Sequence, residues 1–187
     1  MCCRPLLHAT RDGWFGWHSD EPQRYKLWHP RAHVHAAWEE PKPDARGRDR
    51  YQGRVSFVDE YLGSEMAHVA IQFVAPSRLG IDEAALTDQT VVCARIGYAA
   101  QPLDFGWLLH HVRPVAGGAE MRSRFFLGGP HAAVRGAGRL GEMAARAIGT
   151  FVKPTLDNAR DLLIHCAQEM AHLATFLPSL YAEQRDT

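Results

Sequence analysis

The middle of the chain alternates hydrophobic and polar residues with a period of two, the pattern of half-buried β-strands. Few helical stretches interrupt the alternation, so we expect one curved antiparallel sheet. An extended segment begins earlier, at His33, and the Pro-, Gly- and charge-rich residues 39–53 after it predict a surface loop. The predicted strands cover residues 54–62, 67–74, 89–97, 106–115 and 119–127.

Helical patterns flank this predicted sheet. Residues 12–28 hold irregularly spaced aromatic residues with Pro22 at a helix start, which predicts two short helices. Residues 128–153 predict a loop with one short helix, and a long final helix opens at Pro154. The order of elements indicates an α+β protein. One long helix laid across a strongly curved sheet encloses a cavity, which is the helix-grip arrangement.

Length and charge narrow the classes of function. The 187 residues predict a single domain, residues 1–187, with its core within residues 12–180. Basic and acidic residues balance at 21 each, which gives no electrostatic case for nucleic acid or an anionic membrane as partner. The chain has no run of 18 apolar residues and no signal-peptide pattern, so we expect a cytoplasmic protein.

Two polar residues stand in the apolar stripe of the final helix. His165 and Glu169 share one helical face with Leu162, Leu173 and Phe176. Burying a polar group without a partner costs roughly 2–7 kcal/mol, and a charge costs more. A divalent metal would satisfy both groups, since residues four apart can reach one ion. The competing interpretation is an ordinary His–Glu pair on a helix surface.

Two more ligands would have to come from other elements. Glu60 shares a strand face with Val58 and Leu62, so strand alternation points it toward the core. His29, held at a helix end by Pro30, is one candidate for the remaining ligand. Its rival is His33, four residues later. Regular alternation also puts His33 and His35 on one strand face, a weaker candidate for a second metal site.

Four segments of the chain stand out together. In chain order they are GWFGWHSDEPQRYKLWHPRAH, VDEYLG, GWLLHHVRPVAGGAEMRSRFFLGG and DLLIHCAQEM. They resemble the diacetylphloroglucinol hydrolase and phloretin hydrolase family. That resemblance implies a START-type (birch-pollen-allergen-like) helix-grip fold with zinc bound by two His and two Glu. His29 and Glu60 fit the family register, being 31 residues apart, and the family's helical HxxxE pair falls on His165 and Glu169.

The same resemblance implies zinc-dependent hydrolysis of a ketonic carbon–carbon bond in an acylated polyhydroxy-aromatic substrate. The ring carbon that leaves must gain a proton from a nearby side chain. His110 and the next residue, His111, point to opposite faces of their strand, and His110 shares its face with Leu108 and Val112. We therefore expect His110 to be the catalytic residue. The predicted substrate contacts are Tyr25, Trp28 and His33.

The chain also departs from the family. Characterised members carry an additional N-terminal segment, which we expect this chain to lack. Ala32 stands where they carry a polar residue. Two alternatives therefore stay open: a helix-grip protein that binds an apolar or aromatic molecule around a structural metal, and a metal enzyme of different chemistry. The expected partner is a small aromatic ketone or another hydrophobic small molecule, and the resemblance leaves a homodimer open.

Overall fold

The computed structural model of the protein describes residues 13–149, 152 and 154–185. Within them, four α-helices, seven β-strands and several 3₁₀ turns alternate in the order expected of an α+β protein. The helices are α1 Trp14–Trp17, α2 Pro22–Trp28, α3 Gly138–Ile148 and α4 Leu156–Arg185. The strands are β1 His33–Trp38, β2 Val55–Leu62, β3 Glu65–Val74, β4 Thr90–Tyr98, β5 Leu103–Val115, β6 Gly118–Leu127 and β7 Ala133–Val134.

Strands β1 to β6 pair with their chain neighbours in one curved, antiparallel sheet, and β7 pairs with β5. The α+β class, the antiparallel sheet and the long final helix are confirmed. Strand β7 lies in the region predicted as a loop with a short helix, and that helix is α3. The prediction of a short helix from residue 12 begins outside the described residues, and the single-domain prediction stays a prediction.

The final helix starts where the sequence supplies a capping pair. The backbone N–H of Asn158 donates to Thr155 Oγ1 at 3.1 Å, and the backbone N–H of Thr155 donates to Asn158 Oδ1 at 3.0 Å. These reciprocal bonds satisfy two amide groups around the first turn. Further along, Leu173 and Leu177 are buried in the main hydrophobic core, whereas Leu163 is 63% exposed. One side of α4 therefore packs on the protein and the other faces solvent.

A close approach holds the β2–β3 turn against α4. Gly63 has a φ of +61°, and a Cβ at this position would lie 2.6 Å from the carboxylate of Asp161. Only glycine allows both the left-handed backbone and this contact. The turn thus places the end of β2 beside the part of α4 that carries His165.

Aromatic residues of α1 and α2 form a third side of the hydrophobic core, in addition to the sheet and α4. Trp14, Phe15, Tyr25 and Trp28 are each at most 5% exposed. The Phe15 and Trp28 rings meet edge to face with centroids 6.0 Å apart. Pro22 occupies the first turn of α2, where a missing backbone N–H costs nothing. The two short predicted helices thus serve to pack an aromatic layer between the sheet and α4.

A β-bulge interrupts the pairing of β1 with β2. His33 is opposite Glu60, whereas His35 is opposite Asp59, so Val34 is an extra residue in β1. The bulge turns His33 into the core, where it is 2% exposed, while His35 faces solvent. The prediction that His33 and His35 share a strand face is therefore wrong, because that prediction assumed unbroken alternation.

No helix among the described residues is long and apolar enough to cross a lipid bilayer.

The packing of α4 predicts a contrast between two identical substitutions. Leu173→Ala should lower the free energy of unfolding by about 2–5 kcal/mol, because it leaves a cavity in the core. Leu163→Ala, on the exposed side of the same helix, should change it by less than about 0.5 kcal/mol. Urea denaturation followed by circular dichroism measures both values. Equal effects would contradict the assignment of the buried side of α4.

Candidate metal centre and cavity

Two imidazoles and two carboxylates meet in the core where β1, β2 and α4 come together. His33, Glu60 and His165 each offer a ligand atom, and these atoms all lie within 4.8 Å of one another. Glu169 Oε2 is 3.4 Å from His33 Nε2 and 3.7 Å from His165 Nε2. All four residues are buried. We call these four residues the acceptor cluster, because the atoms that they turn toward one another are hydrogen-bond acceptors.

Backbone carbonyls fix the proton on the far nitrogen of both imidazoles. His33 Nδ1 lies 2.9 Å from the carbonyl oxygen of Tyr25, and His165 Nδ1 lies 3.1 Å from that of Tyr61. A carbonyl only accepts, so each Nδ1 donates and each neutral ring keeps a lone pair on Nε2. These two Nε2 atoms are 3.1 Å apart. Metal-binding histidines are commonly oriented in this way by a carbonyl on the other nitrogen.

The cluster therefore brings lone pairs together where cations belong. Glu60 Oε2 is 3.8 Å from His33 Nε2 and 3.7 Å from His165 Nε2, which completes a set of acceptors facing one another. Four ligands placed tetrahedrally around zinc are about 3.3–3.6 Å apart, given zinc–ligand bonds of about 2.0–2.2 Å. The distances from the two Nε2 atoms to each other and to the two carboxylates, 3.1 to 3.8 Å, bracket that range. In donor chemistry and spacing, the four residues fit a divalent metal ion.

Without a cation, burial favours the neutral forms of His33 and Glu169 in this cluster. Burial lowers the pKa of His33, although the Glu60 carboxylate acts in the opposite direction. Burial raises the pKa of Glu169, and Glu60 adds to that rise while His165 opposes it. A cation among them would remove the repulsion between the two carboxylates and favour the ligating form of every member.

Tyr25 joins the cluster to the aromatic layer. Its hydroxyl donates a short hydrogen bond to Glu60 Oε2, and its ring stacks on His33 with centroids 3.8 Å apart and planes 3° apart. Burial raises the pKa of Tyr25 well above its usual value, and Glu60 and Glu169 raise it further. The hydroxyl therefore stays protonated and holds one oxygen of Glu60 in place.

The structure places His29 beside the cluster rather than in it. Its Nε2 is 3.3 Å from Gln168 Oε1, and its ring stacks against His165 with centroids 5.1 Å apart. The backbone N–H groups of Ala32 and His33 both donate to the His29 carbonyl, which forms a tight turn after α2. This turn and the bulge deliver His33 to the position opposite Glu60. Metal binding by His29 stays a prediction that this geometry does not favour.

An outer pocket of about 330 Å³ opens on the His29 side of the cluster. His165 also faces the internal cavity, so its imidazole separates the two spaces. The outer pocket is polar at its rim, with Arg31, Asp161 and Gln168 among its lining residues.

An apolar cavity of about 90 Å³ adjoins the cluster on the inside, between the sheet and α4. Tyr25 and Trp28, two of the predicted substrate contacts, line it, whereas His33 belongs to the cluster itself. Trp28 Nε1 donates to the backbone carbonyl of Glu169 at 3.2 Å, so its polar atom is already occupied. The remaining walls are mostly aliphatic and aromatic: Phe15, Leu62, Val69, Ile71, Phe73, Ile96, Phe105, Leu108, Phe125 and Leu162.

The two histidines of β5 separate as alternation predicts. His110 is 2% exposed and lines the cavity, while His111 lies on the other face with its Nε2 2.5 Å from Gln89 Oε1. Burial lowers the pKa of His110 to about 3, so its imidazole is neutral at ordinary pH. Its Nδ1 bonds to Ser123 Oγ at 2.7 Å. A hydroxyl can donate or accept, so this bond allows either tautomer of His110.

Sequence reasoning missed His18 and Ser123. His18 lines the cavity at 3% exposure, yet it stands among aromatic residues of a short helix and offers no spacing motif. A usable signal was its position four residues after Trp14, on the same helical face. Ser123 is the cross-strand neighbour of His110, which only the register of β5 and β6 reveals.

Comparison with known proteins places the chain in a family. Residues 10–182 match the family described as the DAPG hydrolase PhiG domain, and the chain belongs to that family. It is 30% identical over 181 residues to a 2,4-diacetylphloroglucinol hydrolase of a Pseudomonas species, covering 91% of this chain and 61% of that protein. The corresponding enzyme of Pseudomonas protegens is 29% identical, with coverage of 91% and 58%.

A third relative carries a different name. The chain is 28% identical over 184 residues to the phloretin hydrolase of Eubacterium ramulus, covering 94% of this chain and 63% of that protein. The chain thus spans about three-fifths of the length of the curated relatives that it matches. These relatives are named as hydrolases of 2,4-diacetylphloroglucinol and of phloretin.

The geometry of the cluster predicts which histidine controls metal content. His33→Ala should lower bound zinc to well below one equivalent, because it removes a ligand atom from the centre of the cluster. His29→Ala should keep about one equivalent, since its ring lies behind His165. Elemental analysis after dialysis against limiting zinc measures both. Zinc lost from His29→Ala but kept by His33→Ala would restore His29 as the ligand.

Proposed function

We propose that the protein is a zinc-dependent hydrolase that cleaves the ketonic carbon–carbon bond between an acyl group and a polyhydroxylated aromatic ring. The observation that carries this proposal is the acceptor cluster at the wall of an apolar cavity. The cluster suits a metal, and the cavity suits an aromatic ring. Membership of a family whose named members are hydrolases of such compounds supports the choice of reaction.

The fold proposed for this site is the helix-grip arrangement. Its support is the position of the cavity, whose walls come from β2 to β6 and from α4. In that arrangement the helix closes the open face of a curved sheet and leaves room for a ligand between them.

The proposed reaction adds water across one carbon–carbon bond. The acyl carbon gains the hydroxyl group and leaves as a carboxylic acid, and the ring carbon gains hydrogen. Zinc held by His33, Glu60, His165 and Glu169 would supply Lewis-acid polarisation of the acyl carbonyl and a lowered pKa for bound water. The cavity walls exclude bulk water from the ring, which strengthens electrostatic interactions inside the site.

Tyr25 and Glu60 would organise the polar end of the cavity. Because the Tyr25 hydroxyl stays protonated, it can donate only through its single hydrogen, and Glu60 takes that bond. The oxygen that Tyr25 holds, Oε2, is the one that faces the two Nε2 atoms of the cluster, so this bond fixes the atom that Glu60 contributes. The stacked pair of Tyr25 and His33 keeps both groups in one orientation.

His110 is the residue proposed to move the proton to the ring carbon. The Ser123 hydroxyl can reverse its role as Nδ1 changes between donor and acceptor. With Nδ1 donating to Ser123, Nε2 of His110 would accept the proton released by the attacking water and pass it to the ring carbon, which returns the imidazole to its neutral form. Ring hydroxyls make this step feasible, since they stabilise the negative charge that develops on the leaving carbon.

The cavity volume of about 90 Å³ is smaller than the roughly 300–1,000 Å³ usual for pockets that bury a drug-sized ligand. A bound acyl-aromatic molecule would therefore displace wall side chains or reach past His165 toward the outer pocket. The second candidate function, a metal-containing protein that binds only a small ring, is favoured by this observation.

A turnover assay distinguishes the hydrolase from the protein that only binds a ring. Zinc-loaded protein incubated with monoacetylphloroglucinol should release phloroglucinol and acetate in equal amounts, which chromatography of both products measures. His110→Phe should reduce kcat by about 100-fold or more, as expected for loss of a group that moves a proton. His111→Phe, the same change on the opposite face of β5, should leave kcat within about threefold.

Zinc content of both variants should equal that of the wild type, since neither residue belongs to the cluster. Absence of product from zinc-loaded protein that still binds the ring would favour the binding function. Equal kcat values for the two variants would remove His110 from the mechanism.

A further inference from the structure

One histidine of the cavity takes no part in the proposed mechanism. His18 lies just after α1, is 3% exposed and lines the apolar cavity together with His110. Its ring stacks on Tyr25 with centroids 5.8 Å apart and planes 25° apart, and Tyr25 in turn stacks on His33 of the cluster. His18 is thus two ring contacts away from the metal ligands, on the side of the aromatic layer.

The tautomer of His18 follows from its hydrogen bond. Nδ1 is 2.7 Å from the carbonyl oxygen of Trp14, so Nδ1 donates. Burial lowers the pKa of His18 to about 4, which keeps the ring neutral. A neutral imidazole that donates through Nδ1 has only a lone pair on Nε2. His18 therefore offers an acceptor, and only an acceptor, to whatever occupies the cavity.

Among the described residues, the hydrogen bond of the His18 ring is made by Nδ1, and none reaches Nε2. Trp14, Phe15 and Trp28 pack around the ring through aromatic contacts. Neither indole N–H donates to the nitrogen: Trp28 Nε1 bonds to the Glu169 carbonyl, and the buried Trp14 Nε1 has no hydrogen-bond partner. Packing and the bond to Trp14 thus account for the ring and for Nδ1 but not for Nε2. The unpaired Nε2 of a residue that lines the cavity points to a donor that arrives with a ligand.

We propose that His18 is a substrate-binding residue whose Nε2 accepts a hydrogen bond from a free hydroxyl on the aromatic ring. The inference rests on the proposed function, and it names the feature of the substrate that this end of the cavity recognises. Other polar groups of the cavity are engaged elsewhere: Tyr25 with Glu60, and Trp28 with the Glu169 carbonyl. A ring lacking hydroxyl donors leaves His18 unpaired and binds less tightly.

The test compares two ligands that differ in donors but little in size. Isothermal titration calorimetry with zinc-loaded protein gives dissociation constants for phloroglucinol and for 1,3,5-trifluorobenzene. His18→Phe keeps a ring of similar volume between Trp14 and Tyr25 and removes the acceptor. It should weaken phloroglucinol about fivefold, the value of one ordinary hydrogen bond, and leave trifluorobenzene within about twofold.

A matched control replaces another histidine whose Nδ1 donates to a tryptophan carbonyl. His172 Nδ1 also donates to a tryptophan carbonyl, that of Trp28 at 2.9 Å, but His172 does not line the cavity. His172→Phe should leave the ratio of the two dissociation constants unchanged, because it removes no acceptor from the cavity. His18→Gln, whose amide oxygen can accept a hydrogen bond, should recover part of the preference for phloroglucinol.

The outcomes separate this inference from the proposed function. If the wild type hydrolyses monoacetylphloroglucinol and His18→Phe keeps the full preference for phloroglucinol, only the role of His18 is overturned. If the wild type neither binds phloroglucinol nor turns over the ketone, the role of His18 and the proposed function are both overturned. Should His18→Phe not fold, the ¹⁵N shift of His18 Nε2 in the wild type decides. A shift that moves on adding phloroglucinol but not trifluorobenzene supports the hydrogen bond, and one that phloroglucinol leaves unmoved overturns it.

Discussion

The interior of this protein contains a set of hydrogen-bond acceptors that face one another without enough donors. Two Nε2 lone pairs and two carboxylates converge within a few ångströms. The Tyr25 hydroxyl donates to one of these carboxylates, that of Glu60. A folded chain tolerates such an arrangement only if a cation satisfies it or protons enter it at a cost in free energy.

Much of the surrounding structure can be understood as holding that set in place. Carbonyls at Tyr25 and Tyr61 fix the two imidazoles of the acceptor cluster, one from α2 and one from β2. Helix α4 is tied to α2 by bonds in both directions, from Trp28 to the Glu169 carbonyl and from His172 to the Trp28 carbonyl. Helix α4, which supplies His165 and Glu169, is therefore held against α2, the element that precedes His33.

The buried histidines divide by the partner of Nδ1. Where that partner is a backbone carbonyl, as for His18, His33 and His165, Nε2 is fixed as an acceptor. Where it is a hydroxyl, as for His110, the proton can lie on either nitrogen. The first arrangement suits ligation and recognition, and the second suits proton transfer. Under the proposed function, one residue type would serve all three purposes around a single cavity, according to the hydrogen-bond partner of its Nδ1.

Local patterns were sufficient for part of this site. The helical period put His165 and Glu169 on the buried stripe of α4, and the period of two pointed Glu60 and His110 into the core, because both periods follow from backbone geometry alone. The α+β class and the order of the strands followed for the same reason. A resemblance to known hydrolases then indicated that these residues belong together.

Tertiary structure decided the rest. The placement of His33, rather than His29, in the acceptor cluster depended on a tight turn after α2 and a bulge at Val34, and alternation of polar and apolar residues predicts neither feature. The position of His18 depended on the packing of α1 against the sheet, and the contact of Ser123 with His110 depended on the register of β5 and β6. Periodicity assigns each side chain to a face of its own element. Only the packing of elements decides which of those faces meet.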